Sequence, residues 1–253
     1  MTVVRTLGLL ASVTCAALLP MQVAAQTSAT ASEQAGPADF NGLWVISNRT
    51  RLGPLDESLQ PITDNVYTEM ARAARASVRP ALDPSAMCLP AMPRHLSGPY
   101  PIQIVQTGTK LAMLFEWDTI FRLIHIGGSE HPDPEVETRF LGHSIGHWEG
   151  ATLVVETTNF NGKSWLAGDG TPLSTKARLT EWISLGPDAK TLSIRMKIED
   201  PDVLLRPIWR SYAYNLRNDW EIKEYLCAEG NRDNVFAPGN GSGSLEESDV
   251  ITK

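Results

Sequence analysis

LGHSIGHWEGATLVVETTNFNGKSW, residues 141–165, is the stretch from which the fold can be read. Leu153-Val154-Val155 between threonines is strand chemistry, because β-branched side chains suit a pleated, half-buried surface. Runs 142–148 and 151–158 flank Glu149-Gly150, and a two-residue loop ending in glycine suits a primed turn with φ > 0. The stretch therefore predicts a β-hairpin. With that loop Trp148 faces Ala151, His143 faces Glu156 and His147 faces Thr152, and directly opposed side chains lie about 5 Å apart at Cβ. A loop at Gly150-Ala151 slides the pairing by two and still leaves His143, His147 and Glu156 on one face.

The spacing His143-x-x-x-His147 invites a metal, but Gly142, Gly146 and the strand-like surroundings argue against a helix. Along a strand, four residues span roughly 13 Å, whereas zinc–nitrogen bonds are only about 2 Å long. No metal is therefore predicted. A His143–Glu156 dyad fits better, since a carboxylate that orients an imidazole and raises its pKa makes a usable general acid or base. The other reading is the wet outer face of a hairpin, with Trp148, Leu153 and Val155 turned to the core.

Outward from the hairpin, short apolar-alternating runs recur at 102–106, 110–116, 119–125, 177–184, 190–199, 206–215 and 220–227. Thr107-Gly108, Gly127-Gly128 and Gly186-Pro187-Asp188 punctuate them. This pattern predicts a mainly β fold, an antiparallel barrel. One short helix is expected before the main strands, over 65–78, capped by Asp64 and stopped by Pro80. Residues 81–101 carry five prolines from Pro84 to Pro101 and read as an ordered, extended loop containing Arg94 and His95.

Arg5 and the apolar run that follows, with Val23-Ala24-Ala25 before Gln26, read as a signal peptide over 1–25. Residues 26–38 read as a flexible leader, 39–237 as a single barrel domain, and the Gly- and Ser-rich 238–253 as a disordered tail. No transmembrane segment is predicted, and the expected location is periplasmic or secreted. The net charge of −7 without a basic cluster makes nucleic acid an unsuitable partner. Without the signal peptide two cysteines remain, Cys88 and Cys227, and in an exported chain such a pair invites a disulfide; two buried free thiols are the alternative.

Gly42-x-Trp44 at the start of a strand resembles the G-x-W of lipocalin-like barrels. A longer resemblance covers about residues 86–229. It runs through Cys88-Leu89-Pro90, Pro101-Ile102-Gln103-Ile104, Ser144-Ile145-Gly146-x-Trp148-Glu149-Gly150, Thr152-Leu153-Val154-Val155-Glu156-Thr157, Phe160-Asn161, Trp165-Leu166, Glu199-Asp200-Pro201 and Glu224-Tyr225-x-Cys227. The string resembles a large group of exported bacterial proteins and implies a secreted, lipocalin-like barrel with no particular chemistry. The chain departs from that group at Gly162 and Ala167, where an acid is common, and at Leu173, where a histidine is common.

All five histidines fall between His95 and His147. Arg94, Arg122, His125, His147, Trp148 and Trp165 are the candidate ligand-binding residues, and Arg94's planar fork suits a carboxylate. No nucleophile elbow, H-E-x-x-H, P-loop, G-x-G-x-x-G or C-x-x-C occurs. The leading expectation is a barrel that binds a small apolar or aromatic ligand in an internal cavity, without a cofactor. The alternatives are a lyase or isomerase, with His143 as acid/base, Glu156 orienting it and Arg94 or Arg122 holding a substrate anion, and a structural protein of the cell envelope.

Overall fold

The computed structural model describes residues 37–48, 63–127 and 130–227. The predicted signal peptide, most of the leader and the predicted tail lie outside them. Among the described residues eleven strands and one α-helix occur: β1 Gly42–Asn48, α1 Glu69–Ala76, β2 Ile102–Gln106, β3 Lys110–Phe115, β4 Ile120–Ile126, β5 His143–Glu149, β6 Thr152–Thr158, β7 Ser164–Trp165, β8 Pro172–Leu173, β9 Arg178–Leu185, β10 Thr191–Glu199 and β11 Ile208–Leu216. Nine strands close a barrel in the order β1-β11-β10-β9-β6-β5-β4-β3-β2, with β2 pairing back onto β1. Closure removes the exposed edge that an open sheet would leave.

Every neighbouring pair in the barrel is antiparallel except β4 and β5. Parallel neighbours need a crossover of about a dozen residues or more, and residues 127–142 supply it. That crossover brings His131 back over the outside of β5. Gly142, at φ +68°, makes the turn into β5, and a Cβ there would stand 2.6 Å from the Thr158 carbonyl oxygen.

Alternation along each strand sends one set of side chains inward. Leu111, Met113, Ile124, Leu153, Ile183 and Ile194 are all fully buried in the resulting core. The 81–101 loop is pinned to the barrel from several sides. Tyr214 donates to the Leu96 carbonyl, and Ser164 Oγ donates to the Pro90 carbonyl at 3.0 Å. His95, stacked on Trp117, meets Asp118 at 3.2 Å. Within that loop Cys88 is disulfide-bonded to Cys227, with a Cα–Cα distance of 5.6 Å.

Two expected elements differ. The helix begins at Glu69 rather than at residue 65, capped by the Thr68 hydroxyl, which accepts from the Ala71 amide at 3.3 Å. Asp64–Val66 form a separate helical turn, because Tyr67 is drawn into a bridge with Leu204. Residues 220–227 are not a strand, since β1 already occupies the free side of β11. They lie against the β3–β4 turn instead, where the Thr119 hydroxyl donates to the Tyr225 carbonyl at 2.7 Å and the Lys223 amide donates to Glu116 at 3.0 Å. Among the described residues no helix is long and apolar enough to cross a membrane.

Candidate functional site

Three charged side chains of the barrel strands occupy inward positions: Arg122 between Ile120 and Ile124, Glu181 between Leu179 and Ile183, and Arg210 between Ile208 and Tyr212. Arg122 and Glu181 are 2% and 0% exposed. They face each other bidentately, Nη1 donating to Oε1 at 3.0 Å and Nη2 to Oε2. Arg122 Nε donates to Ser144 Oγ at 3.0 Å and Nη2 to Thr157 Oγ1 at 2.8 Å. Stripping water from two charges is costly, and dense pairing of this kind is what offsets it. Arg122, expected to hold a substrate anion, is therefore committed to Glu181.

Arg210 has no such counterpart: among the described residues no carboxylate pairs with it. It stands at the barrel end where β9 and β11 begin, half-buried in the wall of a 230 Å³ cleft with Tyr212, Pro93, Arg94, Leu166 and Ala167. Tyr212 is 4% exposed, and its hydroxyl has no hydrogen-bond partner among the described residues. Burial pushes the Tyr212 hydroxyl up to about 12, although the Arg210 charge pulls the other way. It remains protonated at neutral pH and can donate. Arg94 does reach this mouth, but Asp83 holds its Nη1 and Nη2 at 2.6 and 2.9 Å, fixing the guanidinium as part of the wall.

A second cluster lies outside the barrel. The hairpin turns at Gly150-Ala151, so His143 pairs with Thr158 and Ile145 with Glu156. The expected direct opposition of His143 and Glu156 is thus corrected by two residues, with both side chains still on the outer face. His131 from the crossover bridges the gap. Its Nδ1 lies 3.0 Å from His143 Nδ1, and its Nε2 lies 3.4 Å from Glu156 Oε1, within ion-pair range but short of hydrogen-bond geometry. His125 stacks on His143 with centroids 5.1 Å apart, and Arg178 donates to Glu156 at 2.6 Å. His131, Asp133, Glu156, Thr158, Lys176 and Arg178 line a 430 Å³ cleft here.

His147 and Trp148 are not part of either site. His147 pairs with Glu149 at 3.2 Å in solvent, while Trp148 points inward and stacks on Phe40 at 5.5 Å, toward the opposite barrel end. Trp165 lies in β7, paired with Pro172, adjacent in sequence to cleft residue Leu166. Among the described residues no group of three or more His, Cys, Asp or Glu side chains could hold a metal ion.

Burial lowers the pKa of both His131 and His143 below 6.5, and in His143 the charges of His131 and His125 add to the effect. A depressed folded-state pKa makes the neutral histidine the folded form. Its stabilising contribution is present above the unfolded-state value near 6.5 and is lost as pH falls from there through the folded-state value. Wild-type protein should therefore lose more stability between pH 7.5 and pH 5 than His143→Gln does. Urea midpoints at the two pH values check this, and equal losses would refute it.

Arg210, Tyr212 and Glu181 were not among the residues expected from the sequence. Their signal is a charge or hydroxyl standing in the apolar phase of an alternating run, as in Leu179-x-Glu181-x-Ile183 and Ile208-x-Arg210-x-Tyr212. The contact of His131 with His143 follows no local pattern, because the crossover makes it. By fold, this protein is a closed, mainly antiparallel β-barrel with a polar cleft at one mouth. No family model matches the chain, and no curated protein matches it.

Proposed function

We propose that this protein is an exported barrel that binds a small, mostly apolar or aromatic ligand, and that the ligand sits in the mouth cleft above the Arg122–Glu181 pair. The observation that carries this reading is Tyr212, an inward-facing, 4% exposed tyrosine whose hydroxyl has no partner among the described residues and which lines a 230 Å³ cleft. The hydroxyl is not sealed away from solvent, so it is free to donate to a molecule in the cleft. The deep interior offers less support, since packed apolar side chains and the Arg122–Glu181 pair occupy it. The Cys88–Cys227 bond supports export, where disulfides persist. On this reading the chain is one of the exported lipocalin-like barrels that its Gly42-x-Trp44 and later segments resemble. A titration with single-ring aromatic compounds, followed residue by residue, tests it.

A second reading keeps the outer cleft as an acid/base site of lyase or isomerase type. The arrangement favouring it is the series His143, His131, Glu156, in which His131 takes the place between imidazole and carboxylate that direct opposition would have left empty. Here His131 is the residue that meets substrate, because it lines the cleft and His143 does not.

A further inference from the structure

The mouth cleft carries a charge, on Arg210, that no carboxylate among the described residues pairs with, and the geometry points to a small organic carboxylate as the ligand of this barrel, its carboxylate held by Arg210 and the Tyr212 hydroxyl. This inference rests on the mouth-cleft reading above and names the ligand class for that same site.

Charge accounting inside the barrel leads to it. Of the three inward charges, Arg122 and Glu181 neutralise each other across two short contacts. Arg94 in the cleft wall is likewise neutralised by Asp83. Arg210 is left, among the described residues, with no paired carboxylate, beside a hydroxyl donor. Both are donors only toward an anion, the guanidinium having no acceptor capacity at all. A guanidinium fork matches the two oxygens of a carboxylate, and charge-assisted bonds are roughly twice as strong as neutral ones. Partial burial strengthens the attraction further, since the effective dielectric is below that of water. The whole chain carries −7 and so repels anions at long range; the attraction is local to this mouth.

The rest of the ligand follows from the walls. Pro93, Leu166 and Ala167 line the same cleft as Arg210 and offer apolar surface suited to a ring or a short alkyl chain. The volume of 230 Å³ falls below the roughly 300–1,000 Å³ usual for drug-sized ligands, which sets the size at about one ring.

The test is a calorimetric titration of the oxidised protein with benzoate and with its neutral isostere benzamide, on wild type, Arg210→Gln and Tyr212→Phe. Wild type should bind benzoate about 10- to 100-fold more tightly than benzamide, the span of a charge-assisted hydrogen bond. Arg210→Gln should remove that preference, with benzoate losing at least about tenfold more affinity than benzamide. Tyr212→Phe, which deletes one oxygen from the wall, should weaken benzoate about tenfold with the fold intact. Equal binding of the two probes by wild type, or a benzoate preference that survives both substitutions, would overturn the carboxylate assignment while leaving the mouth cleft as the binding site. Failure of both probes to bind would overturn the mouth reading and this inference with it.

Discussion

Glu181→Ala is expected to cost about 3–5 kcal/mol, the loss typical of removing one partner from a buried ion pair. The alanine would leave the Arg122 guanidinium, 2% exposed, facing only the Ser144 and Thr157 hydroxyls and the Met113 sulfur. Against a total stability of about 5–15 kcal/mol for a domain, that is enough to leave the variant marginal. The double replacement Arg122→Met with Glu181→Leu should recover most of the loss. It removes both charges together, and the two remaining hydroxyls already bond each other at 2.9 Å. Urea unfolding of wild type, both single variants and the double variant gives the coupling energy directly. Additive losses would mean that the two side chains do not depend on each other as the geometry requires.

Removal of the disulfide should have the next largest effect. The bond closes 139 residues of chain, and the chain-entropy argument gives about 5 kcal/mol for a loop that long, with measured losses for native disulfides of about 2–5 kcal/mol. The lower part of that range is expected here. The segment bearing Cys227 is also held by Thr119–Tyr225 and Glu116–Lys223 hydrogen bonds, which survive reduction. The bond matters to the candidate site because Cys88 and Arg94 share one loop, and the loop forms a wall of the mouth. Comparing Cys88→Ser with Cys227→Ser in urea should give matching losses, since either substitution breaks the same bond. A midpoint unchanged from the oxidised wild type would show the bond to be dispensable.

Much of the fold was legible because the barrel strands obey a period of two. Residues 102–106 and 190–199 alternate so cleanly that their limits are found within a residue of the observed strands. The hairpin was legible too, and its register was ambiguous for a physical reason. Glu149-Gly150 and Gly150-Ala151 are both acceptable loops, and neither changes which face is apolar, so hydrophobic pattern cannot choose between them. The structure chose Gly150-Ala151, with Gly150 at positive φ. The start of the helix was not legible because it depends on Tyr67 meeting Leu204, far along the chain. The fate of residues 220–227 depended in the same way on β1 reaching β11 first.

The candidate site was only half legible. Cys88, Cys227 and Arg94 were recognisable by residue type and context, and their placement in and beside the mouth is what a pinned loop produces. Arg210 and Tyr212 were hidden because a strand that is read as core is not searched for chemistry. On the outer face the histidines were recognisable as a group, but not their partners. His143 and Glu156 are on the same face and still do not face one another; the crossover that carries His131 decides what each of them touches.

The central claim is that the barrel mouth, and not the outer histidine cleft, receives the ligand. The most direct test is a titration of isotopically labelled, oxidised protein with benzoate, read from backbone amide shifts. Shifts are expected to concentrate in residues 94–97, 166–168 and 208–212, with little change at His131, Glu156 and Arg178. Shifts confined to those last three residues and their neighbours would contradict it and move the function to the outside of the barrel.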